Sequence, residues 1–344
     1  MGWHAGILAT GWAELPGRLG GIFYFIVLPI LLLAAIGWAL QRFGGLDMPT
    51  LKRLNFYFVI PGVIYTGLVQ SRLTASDAVT VVLFALAMQA ALGALTYAAA
   101  VVRRVPRDRR NALVMTTIYY NSGNFGLPLQ DLAFGGGAAG ALAMTRQVFV
   151  MVTQNFTSFT IGVMLAAGGR KRQSWRQNLL HIAKLPPVYA LLAAVVTIEV
   201  RRALGDHAPA VGEAIAPFWK TLTYVRGAFI GVALLTLGAQ LGTVRRGGDG
   251  GRKYPVALSV FLRLLMGPAI GLGLVYAFGL RGSLAEMLLI STASPTAVNC
   301  MLLCLEFDNH PDFAARAVLY STLLCPVTVT LVVFLAQSGL LPGG

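Results

Sequence analysis

The sequence predicts an all-α integral membrane protein with ten transmembrane helices, arranged as two inverted five-helix repeats whose fourth and ninth helices are broken and cross. Three observations carry that expectation. Of 344 residues, 56% are hydrophobic and only 12% charged, about half the charge a soluble domain needs to cover its surface. The charge that is present sits in short basic clusters between long apolar runs. Two of those runs are interrupted at matched depth by proline, glycine and asparagine.

A bilayer-crossing helix needs ~20 mostly apolar residues. Stretches that supply them are 22–41, 54–71, 77–102, 111–134, 141–168, 182–201, 214–243, 252–280, 284–305 and 313–338. The seventh is the most mixed, because Lys220 and Arg226 lie in its first half. Eighteen Lys and Arg fall in the loops after odd-numbered stretches, around Arg42, Arg103, Arg170, Arg245 and Arg316, against five in the N-terminal segment and the even loops. Basic loops stay on the cytoplasmic side. The expectation is therefore a multi-pass protein of the cell's inner (plasma) membrane, with both termini on the outer side. The net charge of +14 belongs to those loops, so no nucleic-acid partner is expected, and the lipid bilayer is the first partner. The first twenty residues lack a basic start followed by an apolar run and a small-residue cleavage site, so no signal peptide is read.

Each half contains three ordinary apolar stretches, then an interrupted one, then a long one. The fourth stretch carries Asn121-Ser-Gly-Asn-Phe-Gly-Leu-Pro128 and the ninth carries Ser294-Pro-Thr-Ala-Val-Asn299. Five crossings per half is an odd number, so the second half enters from the opposite side. Residues 1–168 then form one repeat, 169–181 a cytoplasmic linker, and 182–344 the inverted repeat. Inverted repeats with discontinuous helices mark secondary transporters, whose sites lie near the bilayer midplane. Proline and glycine break helices, and the freed backbone groups must face protein or a watery cavity. Half-helix N-termini at that depth suit an anion.

The candidate substrate-binding residues are accordingly Asn121, Gly123, Asn124, Gly126 and Pro128 in the first interruption, and Ser294, Pro295, Thr296 and Asn299 in the second. Arg146 and Arg263 are added because ionisable groups inside a membrane are costly and functional by default. Arg263, about eleven residues into its stretch, is the deepest and has the fork that pairs with a carboxylate. Gln154 and Asn155 complete the set, from a polar cluster in the fifth stretch.

Asp131, Glu199, Glu286 and Glu306 all lie near span ends. No carboxylate holds a span centre, which disfavours the alternative of a cation–proton or sodium-coupled transporter of the same fold. Neither H-E-x-x-H nor G-x-x-x-x-G-K-[ST] occurs, and Cys300, Cys304 and Cys325 lack paired spacing. No catalytic residue, metal or cofactor is expected. The residues point to a secondary active transporter moving a small organic anion by alternating access.

Several stretches together resemble the auxin efflux carrier family, which includes plant auxin carriers and bacterial permeases. They are Leu28-Pro29 with Gly37 and Arg42-Phe-Gly-Gly-Leu46, Val59-Ile-Pro61, the run from Asn121 to Pro128, Leu235-Thr-Leu-Gly-Ala-Gln-Leu241, Arg263-Leu-Leu-Met-Gly-Pro268, Ala293-Ser-Pro295 and Ser321-Thr-Leu-Leu324. The resemblance covers about residues 25 to 335. It implies a fold related to bile-acid symporters and sodium–proton antiporters, with a mobile crossover domain working against a scaffold of spans one, two, six and seven. It also implies an organic-anion substrate, such as auxin in plants or malonate and malate in bacteria. The family's crossover prolines map to Pro128, or the glycine-rich turn before it, and to Pro295, and its polar groups map to Asn121, Asn124 and Asn299. A homodimer is an expectation from the related fold. The long central loop of plant members has no counterpart in residues 169–182.

Overall fold

The computed structural model describes residues 15–70, 73–167, 186–205, 213–243 and 254–342. Its elements are helical: α1 (Leu15–Gly44), α2 (48–70), α3 (Ala75–Val102), α4 (Arg107–Ile118), α5 (Gly126–Ala133), α6 (Gly137–Ala167), α7 (Pro186–Leu204), α8 (Ala216–Gly242), α9 (254–277), α10 (Gly282–Thr292), α11 (Val298–Glu306) and α12 (Pro311–Ala336). Among the described residues the only extended pairing is one antiparallel bridge, Tyr120 with Thr296. Among the described residues six helices are long and apolar enough to cross a membrane: α1, α3, α6, α8, α9 from Pro255, and α12. The expected central linker, 169–181, lies outside the described residues.

Local chemistry moves several boundaries from where apolar length alone puts them. α1 is already helical at Leu15, the first described residue, a full turn and more before the apolar run at residue 22. α2 starts at Met48 because Asp47 caps it, its carboxylate accepting the Thr50 N–H at 3.2 Å, and Pro49 needs no donor in a first turn. α3 is capped by Thr74, whose hydroxyl accepts the Asp77 N–H at 3.1 Å. α8 is one unbroken 27-residue helix despite Lys220 and Arg226. Residues 23–27, 40–44, 55–59, 158–162 and 262–266 are π turns, each of which inserts one residue into an otherwise α-helical run.

The helices pack in two groups. α1 lies along α8, and α2 packs on α7 and α8. Around the crossing, α3 packs on α4, α6 and α9, α5 on α6, and α12 on α10 and α11. The groups meet where Ile60, Ile64 and Phe229 press against Leu127, Val148 and Met151. Glycine sets the α1–α8 spacing: a Cβ at Gly238 would land on the Ala34 carbonyl, and one at Gly37 on the Leu235 carbonyl. Small residues allow such backbone approach between membrane helices, where dispersion and not hydrophobic collapse drives association.

The breaks are where α4 stops at Ile118 and α5 resumes at Gly126, and where α10 stops at Thr292 and α11 resumes at Val298. Each extended segment is the other's partner. The Asn121 N–H donates to the Pro295 carbonyl at 2.7 Å, and the Ala297 N–H to the Tyr119 carbonyl at 3.0 Å. Side chains complete the accounting. Ser321 accepts the Thr296 N–H, Thr296 donates through its hydroxyl to the Thr116 carbonyl, and Gln147 donates to the Ser122 carbonyl.

Replacing Gly238 by alanine forces α1 and α8 apart and is expected to cost about 1–3 kcal/mol, read as a lower melting temperature in detergent. Gly273→Ala, where a Cβ meets nothing within 4 Å, is expected to leave the melting temperature unchanged or higher.

Candidate functional site

The crossing opens on one side into a cavity of about 480 Å³. Its floor is the first break, Tyr119 to Asn124, and the first turns of α11, including Val298, Asn299 and Leu302. α6 contributes Met151, Gln154, Asn155 and Ser158, while α2 contributes Asn55 and Tyr57, and α8 contributes Thr236 and Gln240. Lys52, Arg53 and Glu306 also line it. Two of the π turns, 55–59 and 158–162, bring their residues to this cavity from opposite helix groups.

The two half-helix N-termini are not equivalent. The first turn of α5 is closed by its own chain, with the Gly126 N–H on the Asn121 carbonyl at 2.8 Å and the Leu127 N–H on the Gly123 carbonyl at 3.1 Å. The N-cap of α11 is Ala297, which has no side-chain acceptor, and the Val298 and Asn299 N–H groups have no partner among the described residues. A helix start with free donors carries about half a positive charge. Gln154 stands beside it with 4% of its surface exposed. Its Oε1 accepts the Tyr120 N–H at 3.2 Å, and its Nε2 is buried with no partner. Asn55 reaches across from α2, donating to Asn124 Oδ1 at 2.9 Å. The arrangement offers several donors converging on one region, the chemistry of an oxyanion site.

Of the residues the sequence singles out, Asn121, Gly123, Asn124, Gln154, Asn155 and Asn299 line the cavity. Pro295 and Thr296 lie behind them as partners in the backbone bridge. Gly126 lets the Gln147 amide approach, since a Cβ there would stand 2.5 Å from Nε2. Pro128 is buried in the first turn of α5, and Ser294 is buried with its hydroxyl unpartnered.

The two arginines serve structure and stand away from the cavity lining. Arg263, fully buried in a π turn of α9, donates Nη1 to the Thr117 carbonyl at 3.0 Å and Nη2 to the Thr292 carbonyl. Those carbonyls end α4 and α10, so one cation caps the negative ends of both first half-helices. The Tyr120 ring lies 4.7 Å from its guanidinium carbon, a cation–π contact, and Gly267 leaves the space it fills. Arg146 pairs with Asp77 at 3.1 Å and donates to Ser283 at 3.0 Å, joining α6, α3 and α10.

Asn55, Gln240, Lys52 and Arg53 were not singled out by the sequence. Asn55 and Gln240 carry a signal that was available, a polar amide inside an apolar run. The capped start at Asp47 would have placed Lys52 and Arg53 on the helix.

Arg263→Met keeps the length and removes the cation, leaving two carbonyls unpaired. Hydrogen bonds to charged groups are worth about 1.5–3 kcal/mol each, so a stability loss of about 3 kcal/mol or more is expected in thermal or denaturant melts. A variant as stable as the parent would show that the half-helix ends do not need the charge.

The family model described as membrane transport protein matches residues 22–333. The chain is 24% identical over 314 residues to an uncharacterized transporter of Methanothermobacter thermautotrophicus, spanning 89% of this chain and 95% of that protein. It is 30% identical to auxin efflux carrier component 1 of Arabidopsis thaliana over 32% of this chain and 18% of the carrier. Against auxin efflux carrier component 3a of Oryza sativa subsp. japonica it is 25% identical over 57% of this chain and 28% of the carrier. The match spans under a third of either plant carrier's length. The chain belongs to the membrane transport protein family, and it is a transporter and not an enzyme.

Proposed function

We propose that the chain is a secondary active transporter that moves a small organic anion by alternating access at the crossing. The observation that carries this reading is the uncapped start of α11, with two free N–H groups beside the unpartnered Nε2 of Gln154 in one cavity. A carboxylate would complete those donors, with Asn299 and Asn155 in reach of the same space. Lys52 and Arg53 raise the local concentration of anions. Among the described lining residues Glu306 is the sole carboxylate, and it sits at the end of α11 and away from the crossing, which gives a cation no central ligand. The names of the plant relatives point to a carboxylate of the auxin type as one member of the panel, and small dicarboxylates are the others.

In this reading α4 with α5, and α10 with α11, are the fourth and ninth of ten crossings in two inverted repeats. α1, α2, α7 and α8 form the scaffold, and the remaining helices carry the crossing against it. The bias of basic residues toward the odd-numbered loops supports a cavity, with Lys52 and Glu306, open to the cytoplasmic side and both termini outside. A net anion would be driven outward by the membrane potential, worth about 2.3 kcal/mol per charge per 100 mV.

The test is charge movement in proteoliposomes on jumps of malonate, malate, succinate and indole-3-acetate. A saturable, potential-sensitive current with one acid is expected, with apparent affinity weakened about ten-fold or more in Gln154→Ala and lowered also in Asn299→Ala. Signals evoked by sodium or proton steps alone would overturn the organic-anion reading.

A further inference from the structure

Three buried side-chain atoms that have no partner among the described residues belong to residues lining the cavity: Nε2 of Gln154, Oδ1 of Asn55 and Oε1 of Gln240. The first is a donor and the other two are acceptors. Their placement divides by helix group. Gln154 stands on α6, on the crossing side, as does the uncapped start of α11. Asn55 and Gln240 stand on α2 and α8, which pack together through the π turn that Asn55 begins. Both are more than nine-tenths buried, at 3% and 8% exposure. Asn55 gives an amide hydrogen to Asn124 at 2.9 Å, and its own oxygen is left unused. One turn before Gln240, Thr236 returns its hydroxyl proton to its own helix at the Val232 carbonyl, so it offers Gln240 no donor. A carboxylate answers the donors of this cavity and cannot answer its acceptors, because it brings no hydrogen. A ligand that displaces water from an acceptor without replacing the hydrogen bond loses affinity.

We infer that Asn55 and Gln240 read a hydrogen-bond donor on the body of the anion, so that the substrate class is a carboxylate also bearing a hydroxyl or N–H group, such as a hydroxy acid. The inference rests on the organic-anion reading above and narrows it. Malonate and succinate bring no such donor, whereas hydroxymalonate and malate do. A cavity of about 480 Å³ has room for such a body. The crossing holds this ligand through its carboxylate, and α2 and α8 hold it through its donor. It therefore bonds to both groups of helices at once. A ligand whose contacts differ between two arrangements of those groups is what shifts the equilibrium between them.

The test compares matched acids that differ in the donor: hydroxymalonate with malonate, malate with succinate, and indole-3-acetate with its benzothiophene isostere. Apparent affinities come from thermal-shift titrations of the purified full chain in detergent at neutral pH, where both members of each pair are ionised. In the pair that binds most tightly, the donor-bearing member is expected to bind about five- to thirty-fold more tightly. Gln240→Met and Asn55→Leu are each expected to cut that ratio about three-fold or more, while Gln154→Ala weakens both members together and keeps the ratio. The parent's ratio needs no variant, so a variant that fails to fold leaves the comparison intact. A parent ratio near one, or a preference for the member without the donor, overturns the inference and leaves the organic-anion reading standing. A ratio that survives in both Gln240→Met and Asn55→Leu does the same. If none of the six acids binds a parent protein that melts cooperatively, both readings fall.

Discussion

A helix that stops inside a bilayer leaves carbonyls without donors at one end of the break and N–H groups without acceptors where it resumes, and lipid can satisfy neither. With two such breaks side by side, the rest of this architecture follows from how those groups find partners. The extended segments bond to each other through Tyr119, Asn121, Pro295 and Ala297. The carbonyl ends of α4 and α10 share one buried guanidinium from α9. The start of α5 is closed by its own turn, and the start of α11 is left open toward the cavity. Positive potential is thereby concentrated at one point, and the buried cation of Arg263 is committed behind it to backbone carbonyls.

The breaks were legible because proline, glycine and asparagine inside apolar runs have few other uses. Their mutual pairing was not, since nothing in the spacing of Asn121 to Pro128 says which carbonyl will receive the Asn121 N–H. Arg263 shows the limit of depth as a signal. Its position in the span fixed that the charge is buried, yet a fork-shaped donor serves a substrate carboxylate and two helix-end carbonyls equally well, and only the packing of α9 beside both breaks selects the second. Arg146 was ambiguous for a related reason. Its partner Asp77 lies in the first turn of α3, 69 residues away, where a carboxylate reads as an ordinary helix-start acid.

Residues that face the cavity from α2 and α8 were harder still to read. Asn55 stands next to the edge of an apolar run that by composition begins at Leu54, although Asp47 starts the helix seven residues earlier in the chain. Gln240 lies in a run whose neighbours Gly238 and Gly242 serve the contact with α1. One short stretch of α8 thus packs through its glycines on one side and presents an amide to the cavity on another, two demands that a periodicity argument merges into one.

The π turn at residues 55–59 gives α2 a property that its length and composition hide. An extra residue in a rod with 3.6 residues per turn rotates everything before it by about 100° relative to everything after it. The cationic start of α2 and the apolar stripe of Ile60 and Ile64 are therefore set to independent compass bearings on one continuous helix. A plain helix would have tied the two together, so that any surface facing water at one end dictated the surface facing protein at the other. Here a single inserted residue uncouples them, and the wet and dry faces of the same rod can be tuned separately.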